Sequence, residues 1–290
     1  MKQLFFLYFL FITQSAYSQN SFGFKEEFTQ PDIENFINAS TGTKAAFKSN
    51  SGPQSTIETE TSILSFKLDT NDAAGTGRGP EIISKNFTHF GSYSARLKIP
   101  DVRDLQPNVG AVVGYFTYHA DKALGLSEID FEWLLADPNI IYVGSWTGQK
   151  GKLERIGRTI NLKTGEILST AFRANHYGVN HPFTGKQNKP KKLSKIEDYD
   201  ASARFYTYGF DWHSDRTTWW LLHPQSGRKI VLWDYKGSSK GIPLHASKYR
   251  MNFWHANNWA VETNPKAHEK PKYNFELEVD WMSYEPSKED

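Results

Sequence analysis

Along most of the chain apolar and polar residues alternate with a period of two. SILSFKL at 62–68 places Leu64, Phe66 and Leu68 on one face, and SYSARLKI at 92–99 alternates Tyr93, Ala95, Leu97 and Ile99. AVVGYFTY at 111–118 and IIYVGSW at 140–146 are apolar runs of buried type with small residues between. RFYTYGFDW at 204–212, TTWWLL at 217–222, KIVLW at 229–233 and FELEVDWMSY at 275–284 continue the series. Short runs of this kind, broken by Gly, Pro, Asn and Asp, predict β-strands. No amphipathic stripe of helical period persists for three turns; short helical pieces are expected at most at 30–38 or 196–203. Many strands without regular helices predict a sandwich or barrel rather than alternating β/α units. No repeat or dividing linker interrupts the pattern, so 19–290 is expected to form a single domain.

One strand of the series departs from ordinary surface chemistry. SEIDFEW at 127–133 carries Glu128, Asp130 and Glu132 at two-residue spacing. In a strand all three point to one face, with Ile129 and Phe131 on the other, and the outer α-carbons lie roughly 13 Å apart. Like charges this close disfavour full ionisation, so at least one group holds a proton near neutral pH. A protonated acid beside an ionised carboxylate can split a glycosidic bond, by retention or by inversion according to the gap between them. A solvated strand face is the plain alternative, and a cation site a third, since carboxylate oxygens suit calcium. The aromatic flanks favour the chemical reading, because Trp133 follows directly and strands rich in Trp and Tyr surround the motif.

Composition narrows the partners. Lys plus Arg number 34 against 32 for Asp plus Glu, which lacks the basic field of a dedicated nucleic-acid binder. Aromatic residues reach 15%, with 9 Trp and 14 Tyr, and such side chains suit both a core and the face of a sugar ring. Lys2 followed by LFFLYFLFI and then Ala16-Tyr17-Ser18 predicts a signal peptide over 1–18, with an apolar run too short to span a bilayer. A secreted or periplasmic chain is therefore expected, with association to the cell surface left open and no membrane span. It has no cysteine, so packing rather than disulfides has to stabilise it. KQNKPKKLSK at 186–195 is the most polar stretch, read as a solvated loop or as a patch meeting an anionic polymer.

These stretches, in this order, resemble the glycoside hydrolase family 16 enzymes, and among them the bacterial β-1,3-1,4-glucanases (lichenases). EIISKNFTHFGSYSARLKIP at 81–100, NVGAVVGYFTY at 108–118, SEIDFEW, FYTYGFDW at 205–212, MNFWHANNW at 251–259 and ELEVDWMSY at 276–284 carry the resemblance over roughly 25–285. It implies a concanavalin-like β-jelly-roll sandwich of two curved antiparallel sheets, with a polysaccharide cleft across one face. It implies an endo-acting retaining hydrolase of a β-linked polysaccharide, a β-1,3-1,4- or β-1,3-glucan first. A charged algal or microbial polysaccharide, or sugar binding without turnover, are the alternatives. Glu128 corresponds to the nucleophile, Glu132 to the acid/base and Asp130 to the supporting aspartate between them. No cofactor or metal is implied for the chemistry; a structural calcium away from it is compatible, and a monomer is expected.

Substrate-binding candidates follow from the resemblance and from parity. Tyr115 and Tyr118 are an odd number apart, so at most one faces the cleft, and Tyr115 is taken as the candidate. Trp146 occupies a place where lichenase-like chains carry an aromatic. Asn252 and Trp254 share parity, Trp259 is a candidate for an outer subsite, and His176 in RANHYG meets sugar or braces a loop. For each tryptophan the core is the competing placement. The chain departs from compact lichenases in the longer stretch from Trp146 to Phe205 and in HPQSGRK at 223–229. Those loops are expected where selectivity is decided.

Overall fold

The computed structural model describes residues 22–28, 33–40, 43–49, 62–70, 79–174, 178–236, 240–256 and 269–288. The strands are β1 (Phe24–Glu26), β2 (Phe36–Asn38), β3 (Ala46–Ser49), β4 (Ser62–Leu68), β5 (Glu81–Ser84), β6 (Gly91–Lys98), β7 (Ala111–Asp121), β8 (Gly125–Leu134) and β9 (Ile140–Gly148). They continue with β10 (Glu154–Asn161), β11 (Glu166–Ala174), β12 (Asn180–Pro182), β13 (Tyr206–Trp212), β14 (Arg216–Leu222), β15 (Lys229–Lys236), β16 (Lys248–His255) and β17 (Phe275–Pro286).

The strands pair antiparallel in two sheets. One runs β12-β11-β10-β9-β8-β7-β16-β5-β2, and the other β15-β14-β13-β6-β17-β4-β3 with β1 added on β17. The result is an all-β, two-sheet, jelly-roll-like sandwich. The expected helical pieces do not form within the described residues: 36–38 is strand β2, and 196–203 is a run of turns.

Alternation decides which face of each strand enters the core. On β8, Ile129, Phe131 and Trp133 are fully buried towards the second sheet. Phe131 stacks on Trp133 at 5.9 Å and on Tyr115 at 5.7 Å, and Tyr208 of the opposing sheet meets Trp133 edge-on at 4.8 Å. Trp219, also from the opposing sheet, donates its indole N–H to the Asp130 carbonyl at 3.0 Å. Buried indoles need such a partner, and here the partner is the backbone of the acidic motif. At the start of the strand, Ser127 Oγ donates to the His245 carbonyl at 2.8 Å, and Ser247 Oγ bonds Ser127. Strand β8 is thereby fixed from its core side, which leaves its other face for chemistry.

Candidate active site

The face of β8 turned away from the core carries Glu128, Asp130 and Glu132 in a row. Glu128 and Glu132 are half-buried and Asp130 is 3% exposed. Cross-strand pairing supplies their neighbours. Glu128 lies between Tyr118 on β7 and Trp146 on β9. Asp130 lies between Phe116 and Gly144, and Glu132 between Gly114 and Tyr142. On the next strand out, Asn252 pairs with Gly114 and Arg250 with Phe116.

The glycines are part of the construction. A Cβ on Gly114 would lie 2.5 Å from Asn252 Oδ1, and one on Gly144 would lie 2.2 Å from the Tyr142 hydroxyl. On Gly157 of β10 it would meet Tyr142 Cε2 at 2.6 Å. Glycine inside a strand weakens it and marks close approach of another group. Here the missing side chains let Asn252 and Tyr142 lie flat against the sheet beside the carboxylates. Asn252 Oδ1 is buried and makes no hydrogen bond within the protein, so it is an acceptor held ready for a donor such as a hydroxyl.

Burial dominates the electrostatics. It pushes the Glu128 carboxyl up to about 8, reinforced by Glu132 and opposed by Arg250. It pushes Glu132 up to about 7 against the pull of Arg155. Asp130 is raised well above the ordinary range by burial, then by Glu128 and Glu132, with Arg155 opposing. The three groups therefore hold fewer than three charges at neutral pH and share protons as a set. Arg250 donates to Glu81 at 3.0 Å and lies 5.0 Å over the Tyr118 ring. Arg155 lies 5.5 Å from the Tyr142 ring centre and 5.7 Å from that of Trp146. A set of carboxyls that both hold and release protons near pH 7, walled by aromatic rings, has the parts for acid–base and nucleophilic chemistry at an acetal.

The structure brings together Glu128, Asp130, Glu132, Trp146 and Asn252. Trp254 shares their face, packed against the small cluster of Val112, Leu134 and Ala256. Tyr115 is a correction: it pairs with Phe131, is fully buried, and packs against Phe210 and Tyr249 at 5.6 and 5.7 Å. The register gives the outer position to Tyr118 instead. His176 and Trp259 lie outside the described residues. The HPQSGRK turn is also relocated. It joins β14 to β15 in the other sheet, where His223 and Gly227 border a cavity of about 260 Å³ with Arg96 and Phe205.

Tyr142, Arg155 and Arg250 were not predicted from the sequence. Their only signal was a pair of glycines and two arginines inside strand-like runs. Among the described residues no group of three or more His, Cys, Asp or Glu side chains is placed to hold a metal ion, and none of the described helices is long and apolar enough to cross a membrane.

No family model matches the chain. It is 26% identical over 176 residues to a xylanase/beta-glucanase of Ruminococcus flavefaciens, covering 61% of this chain and 16% of that protein. It is 26% identical over 175 residues to a beta-glucanase of Acetivibrio thermocellus, covering 60% of this chain and 36% of that protein. The chain thus spans well under half the length of either relative. Among solved structures, a prokaryotic beta-1,3-1,4-glucanase (lichenase) from a mouse hindgut metagenome superposes with a TM-score of 0.52 at 18% identity, over 91% of this chain and 99% of that one. The Bacillus licheniformis beta-glucanase gives a TM-score of 0.52 at 18% identity, over 93% and 100%. The Crh5 transglycosylase gives 0.51 at 15%, over 92% and 85%. These likenesses establish the sandwich as a fold shared with β-glucanases.

Proposed function

We propose that this chain is a carbohydrate-active hydrolase that cleaves a β-linked polysaccharide internally with retention, as a glycoside hydrolase of family 16 type. The observation that carries the reading is the row Glu128, Asp130 and Glu132 on one strand face, partly withdrawn from water, with raised carboxyl pKa values. Glu128 is the nucleophile at the anomeric carbon; its raised pKa favours the protonated form in the free chain, so it attacks from the ionised fraction, with the shared proton on Glu132 or Asp130. Glu132 protonates the leaving oxygen and then, as a base, activates the water that releases the sugar. Asp130 lies between them and modulates their shared protons. Tyr118, Trp146, Asn252 and Trp254 contact the sugar rings. The backbone is of the kind that β-glucanases take, and the names of the two sequence relatives support the same activity. The mature chain starts near Gln19 and acts outside the cytoplasm as a monomer.

Release of reducing ends from lichenan, laminarin, xyloglucan, agarose or carrageenan tests the reaction. Azide rescue tests the assignment. Glu132→Ala should still form the glycosyl-enzyme from an activated aryl glycoside and, with azide, yield the β-azide. Glu128→Ala with azide should yield the α-azide by direct attack from the vacated side. Reversed configurations by NMR would exchange the two roles. Tight polymer binding without turnover, unchanged in Glu128→Ala, would replace the hydrolase by a binding protein.

A further inference from the structure

Glu128 needs a counter-charge that its own strand, GLSEIDFEWL, does not supply. Its cross-strand neighbours are Tyr118 and Trp146, and its neighbours along the same face of β8 are the two other acids. Burial and Glu132 both oppose its ionisation, and Arg250 favours it. Arg250 stands on β16, opposite Phe116 of β7, which in turn faces Asp130. It is therefore two strands from the acidic row, roughly 10 Å between α-carbons at the usual spacing. The side chain shortens that distance by leaning towards Glu128. Its guanidinium centre lies 5.0 Å from the centre of the Tyr118 ring, and Tyr118 is the residue directly beside Glu128.

Two contacts hold the guanidinium there. Nη1 donates to Glu81 Oε1 at 3.0 Å from β5, and the planar group lies over the Tyr118 ring, whose face attracts a cation. The side chains of the ion pair are 20% and 21% exposed. Glu81 accepts from a single nitrogen of the guanidinium, whereas a bidentate pair would engage two. Nε is buried and has no hydrogen-bond partner within the protein. The charge is therefore not fully spent on Glu81, and in a site partly withdrawn from water its field reaches further than in solvent. The other cations beside the row are directed elsewhere. Lys248, which pairs with Tyr118, donates to the Lys85 carbonyl at 2.6 Å and lies 4.4 Å over Phe87. Arg155 lies against Tyr142 and Trp146 on the far side and acts on Asp130 and Glu132.

We propose that Arg250 is a positioning residue for the nucleophile: held by Glu81 and by the Tyr118 ring, it makes Glu128 available as a carboxylate beside the protonated Glu132. The proposal rests on the hydrolase reading for the role of Glu128. A proton kept on Glu128 leaves no nucleophile for the anomeric carbon. Where three carboxyls share protons, a cation placed on one side biases which of them gives its proton up. Arg250 stands on the Tyr118 side, next to Glu128, and enlarges the ionised fraction from which Glu128 attacks. It acts through Glu128 and not on the bond that is cut. Its loss should therefore change the pH dependence of the first chemical step more than the affinity for substrate.

The nucleophile is tested apart from the acid/base in Glu132→Gln. There, formation of the glycosyl-enzyme from an aryl glycoside whose leaving group needs no proton depends on ionisation of Glu128, with Asp130 the remaining acid of the row. The pH at which the burst rate is half its maximum is compared among E132Q, E132Q/R250M, E132Q/R250K and E132Q/E81Q. R250M should move that midpoint to higher pH by roughly one unit or more, the effect of losing a nearby opposite charge. R250K, which restores the charge, should recover part of the shift. E81Q removes the carboxylate that competes for the cation and should move the midpoint the other way, to lower pH. A merely structural role would not give shifts of opposite sign. R250Q replaces R250M should that variant fold poorly. An unchanged midpoint in R250M, or a shift in the same direction for R250M and E81Q, overturns the proposal. Carbon NMR of the Glu128 carboxyl, assigned by its absence in Glu128→Gln, follows the same titration in the unaltered chain and in Arg250→Met without turnover. No glycosyl-enzyme in any variant, with the carboxyl titration still moved by R250M, removes the hydrolase and keeps the hold of Arg250 on Glu128. Glycosyl-enzyme formed with equal midpoints keeps the hydrolase and removes the role of Arg250.

Discussion

Glu128, Asp130 and Glu132 are held in an environment that opposes their charged forms, and that opposition is readable as stability. A carboxyl raised by burial binds its proton more tightly in the folded than in the unfolded chain. Its stabilising contribution is therefore complete below the unfolded value near 4.3 and is lost as pH rises through the folded value. For Glu128 that window runs up to about 8, and for Glu132 up to about 7. The protein should lose stability on going from pH 5 to pH 8 through this set. Glu128→Gln, which keeps the shape and removes the titration, should raise Tm at pH 8 and change it little at pH 5. Thermal unfolding at the two pH values checks this, and a Tm gain independent of pH would mean that the carboxyl is not strained by burial. The same substitution abolishes turnover in the proposed mechanism, so stability gained here is activity lost, as expected where a site is destabilised for chemistry.

Strands β9 and β10 show how elements make room for the site. A Cβ built on Gly157 has Tyr142 Cε2, the Tyr142 hydroxyl and Tyr142 Cζ as its three nearest neighbours, at 2.6, 2.8 and 3.1 Å. Gly157→Ala should lift the Tyr142 ring off the sheet towards the carboxylates, at about 1–3 kcal/mol and with a loss of kcat. In a Tyr142→Ala background the same change should cost far less. A double-mutant cycle by urea denaturation measures the coupling, and simple additivity would show that the ring does not need the glycine. This arrangement also marks the limit of what the sequence discloses. The strands that hold the acidic row are legible because Ile129, Phe131 and Trp133 alternate strictly with the acids. Strand β10 is not, because ERIGRTIN places Arg158 at a core position and buries residues on both faces, which erases the period of two. Tyr115 and Tyr118 show the same limit for the site. Parity says that at most one of them faces the carboxylates, but only the register, Tyr118 against Glu128 and Tyr115 against Phe131, says which. Arg155 could not be singled out either, since an arginine in a strand ordinarily signals solvent.

At the scale of the whole molecule, the lysine-rich stretch is a closure between the two sheets rather than a free loop. Arg158 on β10 is fully buried. It donates to Thr170 Oγ1 and to the Leu232 carbonyl, both at 2.9 Å, and so bridges β11 and β15 across the sandwich. Its remaining bonds reach the Pro190 carbonyl at 2.9 Å and Asn188 Oδ1 at 2.7 Å. Trp233 adds a bond to the Gln187 carbonyl at 2.8 Å, and the Asp234 amide one to the Lys189 carbonyl at 2.9 Å. Leu193 packs on the main core. The lysines themselves stay exposed, so charge and anchoring are divided between side chains and backbone. Arg158→Met keeps much of the volume but leaves four acceptors without their donor, and unsatisfied buried groups cost about 1–3 kcal/mol each. The variant should lose roughly 3 kcal/mol or more of stability, with the segment freed first because its backbone depends most directly on that guanidinium. Trypsin reports the order of events: brief digestion should cut the variant within 186–195 while the rest of the sandwich is still folded, and should leave the unaltered chain intact there. Unchanged digestion at those lysines would show that the segment is held by Trp233, Asp234 and Leu193 without Arg158, and would make the buried arginine a feature of the β10–β15 contact alone.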